Sequence, residues 1–123
     1  MPILEVARFE RKSADSPDES RTPPNATVQQ VTVAGHTLGR LRMSPGWRWS
    51  KDIKPIAGTE TCQLSHVGYA VSGELKVHNA DGTEGHIRAG DFYSIPPGHD
   101  AFNDGTEDFV GIEVVSAAEW ARG

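Results

Sequence analysis

The sequence predicts an all-β domain, built as a sandwich or closed barrel of eight or more short strands. Three observations carry this. Thirteen glycines and eight prolines in 123 residues call for frequent corners. Turn signals recur at short intervals. Between them, apolar and polar residues alternate with the period of two that half-buried strands require.

Taken in order, "ILEVARF" near the N-terminus reads as a short anchoring strand. Residues 12–27, "KSADSPDESRTPPNAT", have little to bury and read as an extended polar arm. Residues 1–27 are thus expected to form an N-terminal strand and arm, and residues 28–123 the barrel. "VQQVTVAGHTLGRLRM" breaks at Gly35 and Gly39 and predicts two strands joined by a tight turn. "SPGWRWS" is a turn carrying Trp47 and Trp49, which would share one face of an extended chain. "KDIKPIAGTE" reads as a loop. "TCQLSHVGYAVSGELKVH" is the longest strand-like run, with a bend at Ser72-Gly73. "NADG" turns into the return strand "TEGHIR". After "AGD" come the strand "FYSI", the corner "PPG", the strand "HDAF" and the turn "NDG". "FVGIEVV" is the final strand, and Ser116 with Glu119 three residues on predicts a short C-terminal helical turn.

The formal net charge is −5, without a basic face for nucleic acid or an anionic membrane. No segment has the roughly 18 apolar residues of a membrane span. The single cysteine, Cys62, has no internal disulfide partner. A cytoplasmic location is the expectation. A Gly-x-Ser-x-Gly elbow and a Gly-rich phosphate loop are both lacking.

The run "GELKVHNADGTEGHIRAGDFYSIPPGHDAF" resembles the second half of a cupin domain, with Gly90-Asp91, Pro96 and Gly98 at the intervals of the family's second motif. "HVGYAVSGELKV" resembles the end of the first motif, closing on Gly73. The resemblance spans about residues 40–115. It implies a double-stranded β-helix, the jelly-roll barrel of the cupins, often with a divalent metal at its mouth and often assembled as a homodimer. The usual ligand set is not reproduced. The position of the first motif's glutamate holds His66, those of its two histidines hold Thr59 and Thr61, and the second motif's histidine position holds Ala101.

Strand parity suggests a substitute set. If residues 60–66 run as one strand, Glu60, Cys62, Leu64 and His66 share a face, and His99 has the parity of position 101. The expected metal donors are therefore His66, His99, Glu60 and Cys62, with Glu60 also a candidate general base. Nitrogen, thiolate and carboxylate together favour Zn²⁺; Fe²⁺, Ni²⁺ or Mn²⁺ would suit better with Cys62 outside the coordination sphere. Trp47, Trp49, Leu64, Tyr93 and Phe102 are expected to line the pocket. Asp100 should point to the opposite face, and His36, His78 and His86 read as solvated. Two kinds of function follow: a metal-dependent enzyme on a small organic molecule (the resemblance implies dioxygenase, isomerase or cyclase chemistry), or a metal-free module that binds or senses one.

Overall fold

The computed structural model describes residues 5–114, so the expected helical turn at Ser116–Glu119 lies outside the described residues. Among the described residues nine strands form: β1 (Glu19–Arg21), β2 (Ala26–Val33), β3 (His36–Met43), β4 (His66–Ser72), β5 (Glu74–His78), β6 (Glu84–Arg88), β7 (Phe92–Ile95), β8 (Asp100–Phe102) and β9 (Phe109–Val114). All pairings are antiparallel, in a six-stranded sheet of order β1-β2-β3-β9-β4-β7 and a three-stranded sheet of order β6-β5-β8. One apolar cluster joins them, drawing Val28, Leu41 and Ala70 from the first sheet and Leu75, Val77 and Ala101 from the second. No helix of the described residues is long and apolar enough to cross a membrane.

Several local expectations are corrected. Residues 5–9 form no strand, and Val6 and Phe9 are exposed. The arm instead contributes β1, which pairs with β2, and the expected boundary at residue 28 falls inside β2. Polar contacts tie the rest of the arm down: Thr32 N–H donates to Asp18 at 2.8 Å, and Arg40 pairs with Asp15 at 2.7 Å. The end of "SPGWRWS" and most of "KDIKPIAGTE", expected as turn and loop, form two single helical turns, α1 (Trp49–Asp52) and α2 (Lys54–Ala57). Pro55 sits at the start of α2, where its missing N–H has no intrahelical acceptor to lose.

Two glycines set the corners that frame the interior. Gly73 (φ +75°) turns β4 into β5, and a Cβ there would run into the Asp108 carbonyl. Gly98 (φ +90°) ends the Pro-Pro-Gly corner and delivers the chain to β8. On the outer face of β4 and β7, Val67, Val71 and Phe92 are exposed.

Candidate metal centre

Cys62, His66 and His99 are all buried, and one potential donor atom from each lies within 4.8 Å of the others. They arrive from separate places. His66 is the first residue of β4, pointing inward with Ala70. Cys62 and His99 face each other across an isolated bridge between two otherwise irregular segments. Cys62 N–H donates to the His99 carbonyl at 2.9 Å, and Gly98 N–H donates to the Cys62 carbonyl at 2.7 Å. The Pro-Pro-Gly corner therefore does aim an imidazole inward: His99 is 2% exposed, its ring centroid 5.0 Å from that of His66.

Each imidazole is held through Nδ1. His99 Nδ1–H donates to the Pro96 carbonyl at 2.6 Å, and His66 Nδ1–H donates to Glu113 Oε1 at 2.7 Å. A carbonyl oxygen can only accept, so in neutral His99 the Nε2 lone pair is left for a ligand; the Glu113 carboxylate fixes His66 likewise. This is the outer partner arrangement that metal-binding histidines use.

Glu113 is the functional residue that the sequence reading missed. Its β9 position pairs with Gly68 of β4, which pairs on its other side with Tyr93 of β7. The three lie in a row across the sheet, and the central one has no side chain. Tyr93 O–H reaches over it to donate to Glu113 Oε2 at 2.6 Å. A Cβ on Gly68 would sit 2.9 Å from the Tyr93 hydroxyl oxygen, and one on Gly111 2.6 Å from it. Two glycines thus make the room in which a buried carboxylate acquires two partners.

The electrostatics follow from burial and these contacts. Burial pushes the Cys62 thiol up, but hydrogen bonds with His66 and His99, an N–H from Leu64 and the charge of His99 outweigh it, lowering the thiol to about 6. Burial pushes His66 down, but its bonds to Cys62 (Sγ to Nε2, 3.6 Å) and Glu113, with their negative charges, raise it to about 9. Burial and then the Glu113 charge hold Tyr93 far above the ordinary phenol range, so it stays a donor.

The expected site set is altered by the structure. Glu60 does not join the other three donors: its side chain is 90% exposed and pairs with Lys54 at 2.8 Å. The regular strand assumed for residues 60–66 does not form, since β4 begins only at His66. Trp47 and Trp49 line the interior cavity beside His66 and His99. Leu64 and Tyr93 pack against the core from outside that cavity. Phe102 turns to the outer face, under the Arg48 guanidinium at 4.2 Å, because the inward parity of this segment belongs to His99, Ala101 and Asn103. Asp100 bonds backbone, accepting from Ser50 N–H at 3.0 Å. Of the outer histidines, His86 pairs with Glu74 at 2.9 Å.

No family model and no curated protein matches the chain. Solved structures do. A conserved protein with a double-stranded β-helix domain from Klebsiella pneumoniae is similar over 98% of this chain and 94% of its own, with a TM-score of 0.56 and 21% identity. The polyketide cyclase RemF from Streptomyces resistomycificus is similar over 87% of this chain and 78% of its own (TM-score 0.62, 14% identity). A cupin domain from Bordetella pertussis is similar over 76% and 95% (TM-score 0.50, 19% identity). The fold is a double-stranded β-helix, as in the Klebsiella pneumoniae protein.

A thiolate and two imidazoles with their Nδ1 atoms engaged suit a divalent ion of intermediate softness. Such an ion, when bound, would supply a Lewis acid. The chain's own contribution would be to hold Nε2 of both rings inward, keep Cys62 deprotonated, and exclude bulk water.

Proposed function

We propose that this cupin-fold protein holds one divalent metal ion, zinc by the softness of its donors, on Cys62, His66 and His99, and uses it to bind or transform a small molecule. The observation that carries the reading is the convergence of three buried donors within 4.8 Å, with a separate acceptor orienting each ring. A carboxylate-rich iron site fits less well, because both Glu113 oxygens are already engaged by His66 and Tyr93. The reaction itself is left unassigned. Metal analysis of protein purified without added metal tests the proposal. Near-stoichiometric zinc is expected in the wild type, with sharp loss in His66→Ala, His99→Ala and Cys62→Ser. Equal metal content in all four proteins would defeat it.

A metal-free binding module is the second reading. It is favoured by one observation: the lowered thiol and the raised imidazole satisfy each other as an ion pair. It predicts metal-free purified protein and a melting temperature indifferent to chelator.

A further inference from the structure

We propose that the interior side of this centre admits only a ligand of about three heavy atoms or fewer; the inference rests on the metal reading above. The cavity that touches His66, His99 and Glu113 has a volume of only about 20 Å³. Such a space holds about one water molecule, whereas pockets for drug-sized ligands run to roughly 300–1,000 Å³.

Its walls are fixed. Trp47 and Trp49 are each 2% exposed and close the cavity together with Leu75 and Ile95. The Trp47 backbone is pinned on both sides, its N–H donating to the Ser44 carbonyl at 3.0 Å and its carbonyl accepting from Asn103 N–H at 2.8 Å. Trp49 opens α1, which is anchored by Ser50 N–H to Asp100 at 3.0 Å and by Asp52, whose carboxylate accepts from Arg48 N–H at 3.0 Å and Asn25 at 3.2 Å. With the backbone so fixed, withdrawing either indole would open a void in the core.

Among the described residues, the larger groove of about 400 Å³ is not an entry to the centre. It lies on the outer face of the three-stranded sheet, along Lys76, His78, Glu84, His86 and Phe102, and includes none of the donors. The aromatic pair that the sequence presents as a substrate wall is, in the fold, a plug. On this side the ligand class is therefore set by size: a molecule on the scale of water, with dioxygen or formate as the upper bound.

Carboxylates of increasing size, with the donor atom held constant, test this on the cobalt(II)-loaded wild-type protein. Its visible and thiolate charge-transfer bands report an added ligand without any assay of activity. Formate is expected to perturb the bands, and benzoate to bind at least about tenfold more weakly, from the strain of forcing bulk into a packed interior. An open apolar pocket would give the reverse order, since the phenyl ring would gain contacts. Benzoate binding as tightly as formate overturns the size restriction, as does a loaded site that responds to no carboxylate. Failure to take up cobalt defeats the metal reading itself, and the inference with it.

Discussion

The proton on the Cys62–His66 pair should reside on the imidazole, and pH alone can show it. In metal-free protein Cys62 titrates at about 6 instead of 9, a difference of 3 units. That moves the equilibrium about 4 kcal/mol further toward thiolate than in the unfolded chain. Thiolate absorbance near 240 nm follows it without requiring reagent access to a side chain that is 3% exposed, with Cys62→Ser as the blank. In His66→Ala the midpoint should climb by at least about one unit, because burial then meets less opposition. The stability consequence is less obvious. The lowered Cys62 pKa contributes stability fully present above 9 and lost as pH falls through about 6. The raised His66 pKa contributes stability fully present below 6.5 and lost as pH rises through about 9. These are one interaction seen from its two ends. Between 6.5 and 9 the folded pair holds one proton, on His66, and the unfolded chain also holds one, on Cys62. Unfolding free energy from this pair should then vary by less than about 1 kcal/mol over that window, even though the thiolate band is already developed. A wild-type thiolate titrating near 9, or a midpoint unmoved by His66→Ala, would refute the reasoning.

Three further outcomes are expected. Glu113→Gln should weaken zinc binding by about 10- to 100-fold in a competitive chelator titration, since it removes the charge behind His66; unchanged affinity would show that the carboxylate does not support the ligand. Gly73→Ala should destabilise by more than about 1 kcal/mol in urea, because it combines a left-handed φ with a collision against the Asp108 carbonyl. Gly82→Ala, at a similar φ but with nothing near its Cβ, should cost less, and the opposite ranking would count against the account of that corner. Glu60→Gln should leave metal content and unfolding midpoint unchanged, because the carboxylate faces solvent beside Lys54; lost metal would return it to the site.

The strands and corners were legible because they are local: glycine and proline mark turns, and alternation marks a two-sided sheet. His66 was legible through the register of the family motifs, and His99 because it shares the parity of position 101. Cys62 was reached by parity although its segment is not a strand, because its single bridge to His99 orients it inward all the same. The same parity carried one step too far gave Glu60, where nothing holds the chain extended and Lys54 offers a partner. Glu113 was hidden by its neighbours. In "FVGIEVV" both faces of β9 are apolar, so alternation alone does not mark the carboxylate, in phase with Phe109 and Gly111, as inward. Its signal lay in combination, a glycine on each of two adjacent strands and a tyrosine on a third, which only the sheet order assembles.

The ligand set has moved, yet the barrel still determines where donors can be. Strand interiors face a core that leaves about 20 Å³ beside the imidazoles, too little for a further long side chain. Donors are instead placed where the chain enters or leaves a strand: His66 at the start of β4, His99 just before β8, and Cys62 on the segment bridged to it. Such positions are ordinarily mobile. Here each is fixed by bonds that need no ion: the backbone pair between Cys62 and the Gly98–His99 segment, the Pro96 carbonyl, and the Glu113 carboxylate with its tyrosine. The cost of ordering the donors is met when the barrel folds. What an ion must then displace is chiefly the one proton shared between Cys62 and His66, so the same pair that balances the metal-free interior also sets how readily the site can be filled.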